Sequence, residues 1–174
     1  MFAVILLAAL AADQGSKVWA HTLPLRPDGC AQPSALLAQR CVGIPQAVVD
    51  GYWDWQLAYN PGVAFSTFSS LTSRTGMQVV LALIAAIALL GITVLAMRTR
   101  PEERWKRAAF ALIAGGALGN LVDRLHDGAV TDFVVWRIRD HRWPIFNVAD
   151  AALAIGVVVL LIDSMWARGR AAHG

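Results

Sequence analysis

Charge is what this sequence has least of. Of its 174 residues, 16% are Asp, Glu, Lys or Arg, against about 25% in ordinary soluble domains. Hydrophobic residues make up 57% and mean hydropathy is +0.52. That balance indicates a membrane protein in one compact unit. The 15 basic residues outnumber the 12 acidic ones, but they form no stripe interleaved with aromatics. They gather at the ends of apolar runs, where they set topology; nucleic acid is not an expected partner. Cysteine is scarce as well. Cys30 and Cys41 belong to no C-x-x-C pair, which argues against a redox or zinc centre. Both lie in one polar stretch, and a disulfide there depends on an oxidising compartment. The zinc-protease pattern H-E-x-x-H is absent, with His21, His126, His141 and His173 scattered. No Gly-rich phosphate loop with a lysine occurs. Ser16 and Lys17, adjacent on a helix, point about 100° apart and cannot form a dyad.

What the chain does have is long apolar runs. We place four spans at about 2–20, 77–97, 107–124 and 146–167. The N-terminal MFAVILLAALAAD mimics a signal peptide but lacks a positively charged start. It continues into Asp13, Lys17 and Trp19, so it reads as a retained first span. Met77–Met97 carries no charge and is long enough to cross alone. Arg98, Arg100, Arg104, Lys106 and Arg107 between spans two and three, and Arg168 and Arg170 after span four, mark the cytoplasmic side. Both termini then lie inside. Trp19, Trp136 and Trp143 suit the outer interface, Trp105 and Trp166 the inner one. The expected fold is an all-α integral membrane protein, residues 1–174 forming one domain. A small outer β unit sits between helices one and two, in the segment of about 21–75.

The β expectation rests on alternation. In YWDWQLAY, Trp53, Trp55, Leu57 and Tyr59 fall on one side of a strand and Asp54, Gln56 and Ala58 on the other. Asn60-Pro61-Gly62 signals a turn, after which VAFSTF can return as a second strand. The stretch FVVWRIRDHRWPIF behaves similarly.

Polar clusters interrupt the spans at their outer ends: Asp13–Lys17, Asn60–Phe65, Gly115–Arg124 and Phe146–Asp150, with Asp132 between the last two. From Met1 to Asp13 is roughly 18–20 Å of helix at 1.5 Å per residue, so the clusters share one depth in the outer leaflet. Gly115, Gly116 and Gly119 allow close helix packing. Asn120–Asp123 and Asn147–Asp150 are both N-x-x-D, two side chains on one helix face. Asp13 and Lys17 fit an i,i+4 pair, Asp123 and Arg124 an ion pair at a helix end, and Asp163 the basic inner interface.

Asp150 has no basic neighbour on its own span. A central Asp costs roughly 2.5–3.5 kcal/mol in a membrane helix, and intramembrane acids are functional candidates. Beside a second carboxylate it would share a proton, the ionised member activating water and the other protonating a leaving group. The residues leave Asp123 and Asp132 open as that partner. The Gly-containing turn before Asp132 and the apolar FVVW after it favour Asp132. Two other classes remain: a transporter or channel subunit with the acids as an ion path, and a non-catalytic scaffold. The apolar inner halves of spans two and four, broken only by Asp163 near the inner interface, speak against the path.

Taken in order, DQGSK (Asp13–Lys17), YNPGVAFS (Tyr59–Ser66), GGALGNLVDRL (Gly115–Leu125), GAVTDF (Gly128–Phe133) and FNVADAAL (Phe146–Leu153) closely resemble the lipoprotein signal peptidase family, signal peptidase II. The resemblance spans nearly the whole chain. It implies a four-span aspartyl protease of the bacterial inner membrane that cuts prolipoproteins before a diacylglyceryl-modified cysteine, without metal or other cofactor. The catalytic pair would be Asp132 and Asp150. Asn60, Gly62, Asn120, Arg124 and Asn147 would line or shape the substrate site, supported by Asp13 and Lys17, with Asp123, Gly115, Gly116 and Gly119 structural. Membrane lipid, lipidated prolipoproteins and the cyclic peptide globomycin are the implied partners of a monomer whose site lies near the periplasmic face. The cysteine-containing stretch of the first outer segment departs from the family pattern, being longer.

Overall fold

The computed structural model describes residues 1–25, 43–62, 74–139 and 141–172. In chain order these form α1 (Phe2–Ala20), β1 (Gln46–Val49), β2 (Trp53–Asn60), α2 (Arg74–Arg98), α3 (Arg104–His126), β3 (Val130–Ile138), β4 (His141–Arg142) and α4 (Val148–Ala172). Cys30, Cys41 and the expected return strand VAFSTF lie outside the described residues. Among the described residues four helical segments are long and apolar enough to cross a membrane: Phe2–Ala20, Gln78–Arg98, Arg104–His126 and Val148–Trp166.

The helices are not equivalent. In α3, 61% of the most apolar window is buried against protein, compared with 6% in α2. α3 is therefore the central helix, packed by the other three. The outer helices turn Val4, Leu83, Ile87, Leu90 and Leu161 outward, each at least 57% exposed. In water such a surface would be a liability; in a bilayer it is the lipid-facing side.

Small residues set the separations of α3 from its neighbours. A Cβ on Gly115 would lie 2.8 Å from the Ala9 Cβ and 2.9 Å from the Leu6 carbonyl oxygen of α1. One on Gly116 would collide with the Ala149 carbonyl of α4. From the other side, a Cβ on Gly156 of α4 would come within 2.8 Å of the Ala109 carbonyl oxygen. With lipid tails as apolar as leucine, this fit rather than the hydrophobic effect holds the helices together.

The strands form one antiparallel sheet in the order β1-β2-β3-β4. The β unit is therefore built jointly from the segment between α1 and α2 and the segment between α3 and α4, rather than from the first alone. Pairing of Ala58 with Asp132 and Asn60 with Val130 brings the Asn60 turn alongside the start of β3. The alternation expected in β2 holds only in part, because a bulge interrupts the ladder between Trp55 and Ala58. Leu57, Asp54 and Gln56 are all buried. The two polar side chains are met from the sheet's other half: Asp54 by Arg137 and Gln56 by Arg142. On the apolar side Trp55 stacks edge-on against Trp19, 5.1 Å between centroids, and Phe133 joins them. This cluster seats the sheet on the C-terminal end of α1.

The packing gives a direct test. Gly116→Ala should destabilise the protein by about 1–3 kcal/mol, the usual cost of overpacking. Gly91→Ala in α2, where nothing lies within 4 Å of the added carbon, should be neutral or stabilising by about 0.5–1 kcal/mol. Unfolding in detergent micelles measures both, and equal effects would contradict a close α3–α4 contact.

Candidate active site

The site forms where α1 and α3 end, α4 begins, and β2 and β3 meet. Its first element is the start of α4. Asn147 directly precedes the helix, and its Oδ1 accepts the backbone N–H of Asp150 at 2.9 Å. The Asp150 carboxylate in turn accepts the backbone N–H of Asn147 at 3.3 Å. This is a reciprocal capping box, which satisfies two otherwise orphaned donors. A third, the N–H of Ala149, is taken by Oδ1 of Asp13 from α1 at 2.9 Å. The positive end of the helix favours the carboxylates gathered there.

The second element is Lys17, which is 3% exposed. Its ammonium has three donors, and it meets Asp13 Oδ2 and Asp123 Oδ2, both at 2.8 Å, and Asn120 Oδ1 at 3.1 Å. Asp123 is thus neutralised by Lys17, not by the adjacent Arg124. Asp123 Oδ2 also accepts the N–H of Thr131 at 2.9 Å, which fixes the chain one residue before Asp132. Gln14 ties the same corner together, its amide reaching Asp13, Asp123 and the Gly119 carbonyl. Gly119 is part of this arrangement, since a Cβ there would run into the Asp13 carboxylate.

Two asparagines pass this order on to the remaining acids. Lys17 only donates, so the end of Asn120 facing it must be the oxygen. The Asn120 amide nitrogen then points to Asp150 Oδ1 at 2.9 Å. Asn147 is oriented the same way by the N–H it caps, and its Nδ2 lies 2.8 Å from Asp132 Oδ1 and 3.0 Å from Asn120 Oδ1. On the other side, Asn60 Nδ2 donates to Asp132 Oδ2 at 3.1 Å. The Asn60 oxygen accepts the Gly62 N–H at 2.9 Å, holding a turn in which Gly62 takes φ +101°, a conformation that favours glycine.

Asp132 is 3% exposed, whereas Asp150 is half-buried. Burial and the charge of Asp150 push the Asp132 carboxyl up to about 7, against the bonds from Asn60 and Asn147, which favour its ionised form. Four acids (Asp13, Asp123, Asp132, Asp150) thus face two cations, Lys17 and Arg124, and a proton on Asp132 relieves the excess. Arg124 donates from Nη1 to the Asn120 carbonyl at 3.1 Å and lies within electrostatic range of Asp150 and Asp132.

Asp13, Lys17, Asn120, Asp123, Asp132, Asn147 and Asp150 therefore form one network. Asn60 and Arg124 lie at its partly exposed edge with Gly62. Asp13 and Asn147 have no exposed surface, and Lys17 is held between two carboxylates; these three stand behind the site. The N-x-x-D pairs are not equivalent, because Asn120 bonds to Asp150 and Asp123 to Lys17 instead of to each other. Gln14, the N–H of Thr131 and the N–H of Ala149 were not singled out from the sequence. Gln14 carries a weak signal as a polar residue inside the first span, whereas backbone donors carry none. Among the described residues no group of three or more His, Cys, Asp and Glu is placed to hold a metal ion.

The network makes Lys17 costly to remove. Lys17→Met should destabilise the protein by about 3–5 kcal/mol, because it leaves two buried carboxylates unpaired. Asp163→Asn, half-exposed in the C-terminal half of α4, should change stability by less than about 0.5 kcal/mol. Unfolding in micelles distinguishes them.

The chain is similar to known proteins over most of its length. A lipoprotein signal peptidase of Xylella fastidiosa (strain 9a5c) is 33% identical over 161 residues, covering 92% of this chain and 85% of that protein. One from Xanthomonas axonopodis pv. citri (strain 306) is 35% identical over 161 residues, covering 89% and 83%. A solved bacterial membrane enzyme shares the fold with a TM-score of 0.66 at 24% identity, covering 92% of this chain and 90% of its own. The family model described as signal peptidase (SPase) II matches residues 5–166. The chain belongs to the signal peptidase II family.

Proposed function

We propose that this protein removes the signal peptide from diacylglyceryl-modified prolipoproteins, cutting just before the lipidated cysteine, with Asp132 and Asp150 as a water-activating pair. The observation that carries the reading is the bridge through Asn147. One buried amide donates to Asp132 and caps the N–H of Asp150, so the two acids are held in one frame.

The roles follow from their surroundings. Asp150, met by the Asn120 amide and a backbone N–H, acts as the base that takes a proton from water. Asp132, pushed up to about 7, holds its proton and gives it to the scissile carbonyl oxygen as the water adds. Breakdown of the tetrahedral species returns a proton to the departing nitrogen. The pair then titrates as a unit. Asn60, Gly62 and Arg124 border the position where the peptide would lie.

Depth supports the substrate. A cysteine bearing two acyl chains is held at the membrane surface, and the polar network lies at the outer ends of α1 and α3. With the basic segments between α2 and α3 and after α4 on the cytoplasmic side, the site faces the periplasm of a bacterial inner membrane. Both termini are then cytoplasmic. The protein works as a monomer, and globomycin competes for the same cleft.

Purified protein in lipid should release the signal peptide from a lipidated prolipoprotein and leave the unlipidated form uncut. Asp132→Asn and Asp150→Asn should each lower kcat by about 100-fold to 10,000-fold or more with the fold intact, whereas folded Asp123→Asn retains measurable cleavage. A dead Asp123→Asn beside an active Asp132→Asn would reassign the pair.

The pair also fixes a pH response. Ionisation of Asp132 near 7 removes the shared proton, so kcat/KM should fall as pH rises through about 7. The bond from Asn60 favours the ionised carboxylate. Asn60→Ala should therefore move the falling limb to higher pH. A limb that stays put, or moves down, contradicts the role given to Asp132.

A further inference from the structure

A groove of about 360 Å³ lies between α2 and α3, just beside the active site. One wall is the stripe Gln78, Ala82 and Ala86; the other is Leu121, Arg124 and Leu125. We propose that this groove receives one acyl chain of the substrate's diacylglyceryl group, with Arg124 meeting the ester carbonyl at its polar end. The inference rests on the prolipoprotein reading above.

Charge places the polar end. The Arg124 guanidinium has five donors. Nη1 bonds to the Asn120 carbonyl, while Nε is buried and finds no acceptor among the described residues. An acceptor arriving in the groove would meet the half-buried guanidinium, and Nε would reach it once the side chain shifts. An ester carbonyl supplies one without adding charge to a site already rich in carboxylates. The same Arg124 lies within electrostatic range of Asp150 and Asp132, so an ester held there carries its cysteine towards the pair.

Shape selects the occupant. The groove runs along one face of α2, past Gln78, Ala82 and Ala86, a course that one extended hydrocarbon chain can follow. From Gln78 to Ala86 the wall runs about 12 Å at 1.5 Å per residue, close to the roughly 15 Å depth of one leaflet. Ala82 and Ala86 keep it open. Its rim reaches the lipid-facing Leu83 and Leu125, which are 57% and 71% exposed, so a chain can enter sideways. Gln78 closes the top, donating to the Gly128 carbonyl at 2.8 Å, and so ties the groove to the turn that leads into Asp132.

A chain leaving the bilayer for this groove exchanges one apolar surrounding for another. The groove therefore contributes position more than affinity. Positioning errors of about 1 Å can cost about 100-fold in rate, so filling the groove should act on turnover of long-chain substrate.

The test uses a synthetic prolipoprotein peptide whose cysteine carries either two palmitoyl or two acetyl esters on the glyceryl group. For the full-length enzyme in nanodiscs, Ala82→Phe and Ala86→Leu together should reduce the palmitoyl-to-acetyl ratio of kcat/KM by about tenfold or more. An unchanged ratio overturns the proposal. In a second arm, the palmitoyl peptide carries a diazirine near one chain end and is mixed with folded Asp132→Asn. Cross-links mapping to residues 79–86 and 121–125 support the groove, and cross-links confined elsewhere overturn it. A diazirine-bearing phosphatidylglycerol that labels these residues and resists excess lipopeptide also overturns it, marking an ordinary lipid site. Cross-linking in the groove by a peptide that the wild type never cleaves would leave the groove standing and remove the peptidase reading.

Discussion

The side-chain amide of Asn147 is the constraint on which the site depends. It is wholly buried, and its two hydrogens serve three acceptors: Asp132 Oδ1, Asn120 Oδ1 and the Thr131 carbonyl. Its oxygen begins α4 by capping Asp150. One residue thus joins the start of β3, the end of a central helix and the start of a peripheral one. If Asn147 turned over, its oxygen would face a carboxylate and its NH2 a backbone donor, so the arrangement has one satisfied orientation. That makes a rigid support of a kind that active sites require.

Gathering four carboxylates near the membrane surface is tolerated because they are met by three different means. Asp13 and Asp123 share Lys17. Asp150 lies in the first turn of α4, where unsatisfied N–H groups and the helix dipole favour an anion. Asp132, left without a close cation of its own, keeps its proton until about pH 7. The division of labour between the two candidate catalytic acids comes from this difference in surroundings. It needs no difference in the residues themselves. The tight spacing at Gly119, where α3 makes room for the Asp13 carboxylate, shows helix packing and electrostatics to be one problem here.

Much of this was legible in the residues. The four spans follow from apolar length, and the common depth of the polar clusters follows from helix rise. The strand at Trp53–Asn60 follows from alternation and the turn at Asn60–Gly62 from its residue types. Other features were out of reach for physical reasons. The pairing of β2 with β3 joins segments some 70 residues apart and leaves no local trace. The bulge that buries Leu57 with Asp54 and Gln56 breaks the very alternation used to find the strand. N-x-x-D has two meanings: mid-helix at Asn120 it aims the side chains at different neighbours, and at Asn147 it is a cap. Lys17 pairs with Asp123 across helices, where sequence adjacency favoured Arg124.

The central claim is that Asp132 and Asp150 hold one proton between them. The most direct measurement is the infrared carbonyl stretch of a protonated carboxyl, taken as the difference between wild type and Asp132→Asn across a pH series. The account predicts one such band at about pH 6 that disappears as pH rises through about 7. Absence of the band at about pH 6, or a band whose loss follows Asp123→Asn instead, would contradict it.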